Sequence, residues 1–358
     1  MDNAQLLALE RELARPEIRI PARVPGPRSG LIVTRTPLRV SLAGGGTDLA
    51  AYCRDRSGAV LSTTIDKFVY VTLKRHDALF GAPIRLNYSE TEQVSTVDEI
   101  RNEIARACFR FLEIGPPVYM STVADIPAAS GLGSSSSFAV GLLNALHTYR
   151  GEPASAGQLA DEAAHIEIDV LGRPIGRQDH YAAAFGGCNL FRFLPEGGVS
   201  VEPQRFTGSG LALLFAHLLM FWTGIVRNAG DVLAEQQRNT AERLSALELM
   251  REQAFRLHHA LGDGFTAEEV GRLLGEGWRL KRELASTITT PRIDRWYEAA
   301  IEAGAWGGKL CGAGGGGFLL FLVPLERRHQ VRLALCDLKE LPIRYEPQGS
   351  RVLMPHVE

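Results

Sequence analysis

Residues 118–151 read VYMSTVADIPAASGLGSSSSFAVGLLNALHTYRG. A strand runs to Pro127, a glycine and serine turn follows, and a helix begins whose apolar side carries Phe138, Leu142, Leu143, Leu146 and Tyr149 and whose end is Gly151. A polyphosphate needs several converging N–H donors and no side chain in the way, and glycine at a helix N-terminus supplies both. Ser130, Gly131, Leu132, Gly133, Ser134, Ser135, Ser136 and Ser137 offer that arrangement. Their hydroxyls add donors to phosphate oxygens or ligands for Mg²⁺. An ordinary serine-capped turn accounts for one glycine and one serine, not for four successive serines.

Two other glycine clusters flank this one at a distance, Gly44-Gly45-Gly46 and the run Gly312 to Gly317. Neither they nor the central turn fit the common nucleotide motifs. GxxxxGK[ST] is absent, since Gly308-Lys309 is followed by Leu310. Gly312, Gly314 and Gly317 match GxGxxG but precede the strand FLLFLV, where a dinucleotide fold would open a helix. That absence argues against a nicotinamide-dependent oxidoreductase, and the protein-kinase HRD and DFG elements are also missing.

The remaining chain reads as α+β. LIVTRTPLRVSLAG (31–44) and AVLSTTIDKFVYVTLKRH (59–76) are strand-like, and 97–113 has the spacing of an amphipathic helix. Helices are expected over about 155–170 and from Gln178, then over about 228–261, 266–286, 291–303 and 325–339. LALLFAHLLMFW (211–222) reads as an apolar strand opening a second domain, FLLFLVP (318–324) as another strand, and the last strand falls near 341–346. Pro16, Pro21, Pro25 and Pro27 among five arginines make residues 1–30 a surface arm with one short helix near 4–14. The expected division is 31–207 and 208–358, and a chain of 358 residues suits two domains.

With 39 Lys+Arg against 41 Asp+Glu, there is no basic field for nucleic acid or anionic lipid. No apolar run approaches the roughly 20 residues of a membrane span, and charges stand where a signal peptide is apolar, so a cytoplasmic protein is expected. Five scattered cysteines without a CxxC pair indicate neither a disulfide framework nor a zinc site, and Cys188 and Cys311 read as small packing residues. Oligomeric state is left open.

Three blocks together resemble the GHMP small-molecule kinases: TPLRVSLAGGGTDL (36–49), SGLGSSSSFAV (130–140) and KLCGAGGGGFLLFLV (309–323). A fourth element is similar to the galactokinase spacing, with Glu167 followed by Gly172, Pro174, Gly176 and Asp179. The resemblance implies two α+β domains, the first like ribosomal protein S5 domain 2 and the second ferredoxin-like, with the active site in the cleft between them. It implies ATP and Mg²⁺ as cofactors, the Ser130–Ser137 block as the ATP-phosphate loop, and Ser135 with Glu167 as metal ligands. Asp179 would be the catalytic aspartate beside the acceptor hydroxyl and Arg39 the cation beside it. Phosphoryl transfer is largely alignment and charge neutralisation, which a cation, a metal and one carboxylate supply.

Within that superfamily, Gly45 and Gly46 replace the Glu-His pair of galactokinases, while Thr47-Asp48 is kept and suits sugar hydroxyls. LRVSLAGGGTDL, TIDKFVYV, GRQDHYAAAFGG, FWTGIVRNA and GAWGGKLCGAGGGGF most resemble bacterial heptose 7-phosphate kinases, which act on the anomeric hydroxyl; fucokinases and galactokinases are the related alternatives. Substrate contacts are then expected from Thr47, Asp48, Arg177, Thr223, Arg227, Gly314 and Gly315, and a substrate phosphate would draw on Arg35, Lys67, Arg177, Arg227 or Lys309. A non-catalytic sugar or nucleotide sensor on the same fold is the alternative of another class.

Overall fold

The computed structural model of the chain describes residues 30–76, 81–226 and 229–355. The expected arm up to residue 29, with its short helix, and Arg227 lie outside them.

The first sheet grows from one long pairing. β1 (Leu31–Ala43) and β2 (Gly58–Arg75) run antiparallel from Leu31 opposite Lys74 to Ala43 opposite Leu61, in segments rich in the β-branched residues that suit a pleated buried surface. The other edge of β2 is divided. Its first part pairs β6 (Cys188–Phe193), which carries β7 (Val199–Pro203), and its second part pairs β5 (Val118–Ala124). β3 (Ile84–Asn87) lies parallel to β5 and antiparallel to β4 (Thr91–Val94). The helix Ser134–Arg150 lies close on β1, where the Thr34 hydroxyl donates to the Gly141 carbonyl at 2.8 Å. A Cβ on Gly141 would stand 2.7 Å from Thr36 Oγ1, so glycine there permits the approach.

The second sheet is antiparallel, in the order β11 (Lys339–Glu340), β8 (Leu218–Trp222), β10 (Phe318–Leu322), β9 (Gly307–Leu310). Its outer core gathers Phe221, Leu319 and Phe321 with Leu247 and Met250 of the helix Leu244–Asp263, Trp278 of Ala267–Arg282, and Ile293 and Trp296 of Pro291–Glu302. β9 and β10 are joined by the third glycine block, which is therefore a hairpin loop.

Several expectations are corrected. The run 211–222 is a helix, Gly210–His217, followed by the strand β8. LALLFAH holds leucine and alanine, strong helix formers, and no β-branched residue, and an all-apolar run has no period by which to tell the two states apart. The helix expected over 228–261 is two, Ala229–Asn239 and Leu244–Asp263, broken where the Thr240 hydroxyl bonds back to the Gln236 carbonyl. The helix over 325–339 shrinks to a single turn and Arg328–Ala334, and the strand expected near 341–346 falls at β11 (Lys339–Glu340), followed by an isolated bridge from Tyr345 to Ile65. β12 (Arg351–Pro355) instead returns to pair the outer edge of β1, so the expected unit 208–358 does not keep its own last strand.

Candidate active site

β1 delivers Arg39 to the end of the glycine turn. Its backbone N–H donates to the Leu132 carbonyl at 3.1 Å and Nη1 to the Gly131 carbonyl at 2.8 Å. Nε and Nη2 donate to Asp179 Oδ1 and Oδ2 at 2.6 and 2.5 Å, a two-point ion pair. Arg39 is only 4% exposed, while the Asp179 side chain, in the first turn of the helix Gln178–Phe185, is 24% exposed. Gly133, with φ near +78°, precedes the helix Ser134–Arg150, and no side chain caps that helix. Its first N–H groups are thus left to an external acceptor. A Cβ on Gly133 would stand 3.3–3.4 Å from the Arg39 and Asp179 side chains. The ion pair therefore borders the open helix end. Ser130 is fully buried with its hydroxyl unpartnered among the described residues, an orphan that a phosphate oxygen would satisfy.

Of the other residues in this block, Leu132 packs in the core and the Ser137 hydroxyl donates to the Pro37 carbonyl at 2.9 Å. Ser136 is also buried, whereas Ser134 is half-buried and Ser135 exposed. Ser135 Oγ donates to Glu167 Oε1 at 2.5 Å. Glu167 is wholly buried in a π-helical segment, His165–Val170, of the kind that often marks functional sites. Arg173 Nη1 also donates to Glu167 Oε1, at 2.8 Å, and to Ser135 Oγ, at 3.0 Å, and His180 Nε2 lies 3.0 Å from Oε2. Burial pushes the Glu167 pKa up, but the His180 hydrogen bond and charge, then Ser135 and Arg173, more than offset it and hold the carboxylate below its ordinary value. A hydroxyl beside a carboxylate is a hard-oxygen donor set that fits Mg²⁺, which takes few protein ligands and fills the rest with phosphate and water. No cluster of three or more His, Cys, Asp or Glu suited to a metal occurs among the described residues.

The third glycine block packs backbone to backbone on this loop. A Cβ on Gly312 would lie 2.5 Å from Gly131 Cα, and one on Gly317 would lie 2.5 Å from the Ser130 carbonyl oxygen. Two buried lysines lie beside this contact. Lys281 Nζ donates to the Gly312 carbonyl at 2.5 Å, and Lys309 Nζ to the Ser41 carbonyl at 2.7 Å. Burial and then the Arg39 charge push the Lys281 pKa down to about 8, and burial and then Lys281 push Lys309 down to about 7. Sequence reasoning passed over Lys281, although it continues the buried stripe Val270, Leu274, Trp278.

A stability prediction follows from Lys309. Its folded pKa lies below the unfolded value, so the unfolded chain binds the proton more tightly. The penalty is fully present below pH 7 and relieved as pH rises. Chemical denaturation at pH 7 and 8.5 is expected to show Lys309→Met gaining less stability than the wild type over that interval. Equal gains in both proteins would rule out the buried cation as the source.

The substrate candidates divide. Asp48 is buried, with Oδ1 accepting from Gly46 N at 2.9 Å and Gln178 Nε2 at 3.2 Å, and Oδ2 from Gln178 N at 3.2 Å. Burial raises its pKa, the Gly46 N–H pulls it down and the Asp179 charge pushes it up, for a net rise. Thr47 and Thr223 are engaged by main chain: the Thr47 hydroxyl donates to Gly44 or Ala59 carbonyls, the Thr223 hydroxyl to the Gly317 carbonyl. Arg177 turns to the Gly197 carbonyl at 2.5 Å. Gly314 and Gly315 abut Ile288, and the contact with the Ser130–Gly133 loop is made by Gly312 and Gly317 instead. Arg35 pairs with Glu346 and Lys67 with Asp66.

The chain matches the profile of the GHMP kinases N terminal domain over residues 99–187 and that of GHMP kinases C terminal over residues 248–340. It is 33% identical over 317 residues to the D-glycero-alpha-D-manno-heptose 7-phosphate kinase of Campylobacter jejuni, spanning 85% of this chain and 93% of that one. The L-fucokinase/L-fucose-1-P guanylyltransferase of Bacteroides fragilis is 27% identical over 344 residues, 84% of this chain but 35% of that longer protein. Among solved structures, a D-glycero-D-manno-heptose 1-phosphate kinase from Bacteroides thetaiotaomicron has a TM-score of 0.74 at 26% identity, covering 90% of this chain and 99% of that one. No helix among the described residues is long and apolar enough to cross a membrane.

Proposed function

The chain belongs to the GHMP kinases and is an ATP-dependent phosphotransferase acting on a sugar, and from that premise we propose that its acceptor is the anomeric hydroxyl of D-glycero-D-manno-heptose 7-phosphate. The observation that carries the chemistry is the Arg39–Asp179 pair at the edge of Gly133 and the uncapped helix Ser134–Arg150. The similarity to the Campylobacter heptose 7-phosphate kinase supports the choice of sugar.

In this reading the loop Ser130–Gly133 and the first N–H groups of the helix hold ATP phosphates, with Ser134 and Ser135 adding hydroxyls at its rim. Asp179 accepts the hydrogen bond of the sugar hydroxyl and aims its oxygen at the γ-phosphorus. The new O–P bond forms as the bond to the departing ADP oxygen breaks, and the hydroxyl proton passes to Asp179. Arg39 holds that carboxylate in place and offsets charge on the transferred group. Ser135 and Glu167 would hold Mg²⁺, which supplies charge neutralisation to the phosphate oxygens. Arg173 donates to both of these residues and would add a second positive charge beside the phosphates.

One observation favours a second reading, an unphosphorylated sugar as in fucokinase or galactokinase. Of the cations expected to read a substrate phosphate, each one within the described residues is engaged: Arg35 by Glu346, Lys67 by Asp66, Arg177 by Gly197 and Lys309 by Ser41. The test is Mg-ATP-dependent ADP release with heptose 7-phosphate, L-fucose, galactose and mannose. Selective turnover of the heptose phosphate is the expected result. Selective turnover of a free sugar discards the heptose assignment, and ATP binding without turnover of any favours the sensor.

A further inference from the structure

Beside Asp48 the structure concentrates buried polar atoms that the fold itself leaves unpaired. Gln236, on the helix Ala229–Asn239, is 2% exposed, and neither its amide nitrogen nor its amide oxygen has a partner among the described residues. The side chain lies flat against the first glycine block, since a Cβ on Gly46 would collide with the Gln236 amide nitrogen. One residue back, a Cβ on Gly45 would stand 3.2 Å from Ser41 Oγ and 3.5 Å from Gln178 Nε2. Ser41 Oγ and Gln178 Oε1 are likewise buried and unpartnered among the described residues. Three side chains from three elements thus converge on the Gly45-Gly46 edge, and Gln178 links them to Asp48 through its amide N–H.

The helix carrying Gln236 is itself fixed. Glu235 accepts from Ser286 N, Ser286 Oγ and Thr287 Oγ1 at 2.8, 2.8 and 2.6 Å, and Asn239 Nδ2 donates to the Leu284 carbonyl at 3.1 Å. The Gln236 amide is therefore held in its buried place by anchors on both sides, and an unpaired buried amide is unfavourable unless something answers it. The free atoms are of both kinds, two amide oxygens that accept, the Gln236 amide nitrogen that donates and the Ser41 hydroxyl that does either, next to a carboxylate whose own oxygens already receive N–H groups. The Asp48 carboxylate disfavours an anion here, and mixed donors and acceptors suit a ligand whose neutral O–H groups both donate and accept, which is a polyol.

We propose that Gln236, with Ser41 and Gln178, forms a hydroxyl-reading subsite beside Asp48, and that Gln236 is a specificity-determining residue for the sugar ring. The inference rests on the sugar-kinase reading and extends it to Gln236, a residue on the second half of the chain. A site built to hydrogen-bond a hydroxyl discriminates strongly against ligands lacking it, because its own polar groups are otherwise stranded.

Gln236→Met keeps the length of the side chain and removes the amide. Steady-state kinetics are expected to show the sugar KM raised about 10- to 100-fold with the ATP KM within about twofold. The melting temperature without sugar should hold or rise, because a stranded amide has been replaced by an apolar group, while the upward shift at a sugar concentration that saturates the wild type is reduced. Ser41→Ala, a smaller change, should raise the sugar KM about 3- to 10-fold by the same route. An unchanged sugar KM in both variants, or a lower melting temperature in Gln236→Met with the sugar-induced shift intact, overturns the proposal and makes the amide a packing or water-binding group. The wild type is run on the same sugars, so failure of the heptose assignment shows separately, as turnover of a different sugar, and the variants are then compared on that one.

Discussion

Asp179→Asn is expected to lower kcat by about 10²- to 10⁴-fold while leaving the ATP KM unchanged or slightly lower. The asparagine keeps the shape of the side chain and one carbonyl oxygen, but it sets an NH₂ against the Arg39 fork, which has only donors to offer. In the proposed mechanism the acceptor hydroxyl loses the group that orients it and takes its proton, whereas ATP phosphates meet a site one unit more positive. Stability should fall as well. Arg39 is almost fully buried and loses its counter-charge, but Asp179 is partly exposed, so the loss should be about 1–3 kcal/mol, below that for a fully buried pair. Kinetics measured well below the variant's melting temperature separate the two effects. A kcat within tenfold of wild type in a folded variant would remove Asp179 from the chemistry.

What the sequence made legible was local or shared with relatives. The strand, turn and helix around Gly131 and Gly133 are encoded within a few residues of one another, and glycine leaves little choice of backbone there. Arg39 and Asp179 are 140 residues apart, and only the resemblance to the GHMP kinases put them side by side. The partners of two hydroxyls were not legible for a general reason. Thr47 and Thr223 look available in sequence, but each hydroxyl donates to a main-chain carbonyl, Thr47 to Gly44 or Ala59 and Thr223 to Gly317, which lies far along the chain. Gln236 was overlooked for the converse reason. With Val232 and Thr240 it lies on the buried side of its helix, and nothing local tells a glutamine at such a position from one facing water. β12 escaped notice because five residues ending in proline carry little strand signal, and its partner β1 lies more than 300 residues earlier.

The seam between the second and third glycine blocks carries the other large effect. Gly312 combines φ near +77° with a position where a Cβ would meet Gly131 Cα at 2.5 Å and the Gly131 carbonyl oxygen at 2.7 Å. Both are backbone atoms and cannot swing aside, so Gly312→Ala must part the loops by about 1 Å, a misplacement that can cost about 10²-fold in rate. The same displacement carries off the carbonyl that receives Lys281. The expected result is a loss of about 10²-fold in kcat/KM for ATP. The strain of positive φ alone is controlled by Gly264→Ala, where φ is near +91° but the nearest atom to a new Cβ is 3.8 Å away. That variant should lose about 1 kcal/mol of stability and little activity. If the two variants lost activity alike, backbone strain rather than the contact between loops would be responsible. If only Gly312→Ala lost it, the phosphate loop works in the shape that the second half of the chain presses upon it, and ATP binding depends on a contact that neither glycine block makes alone.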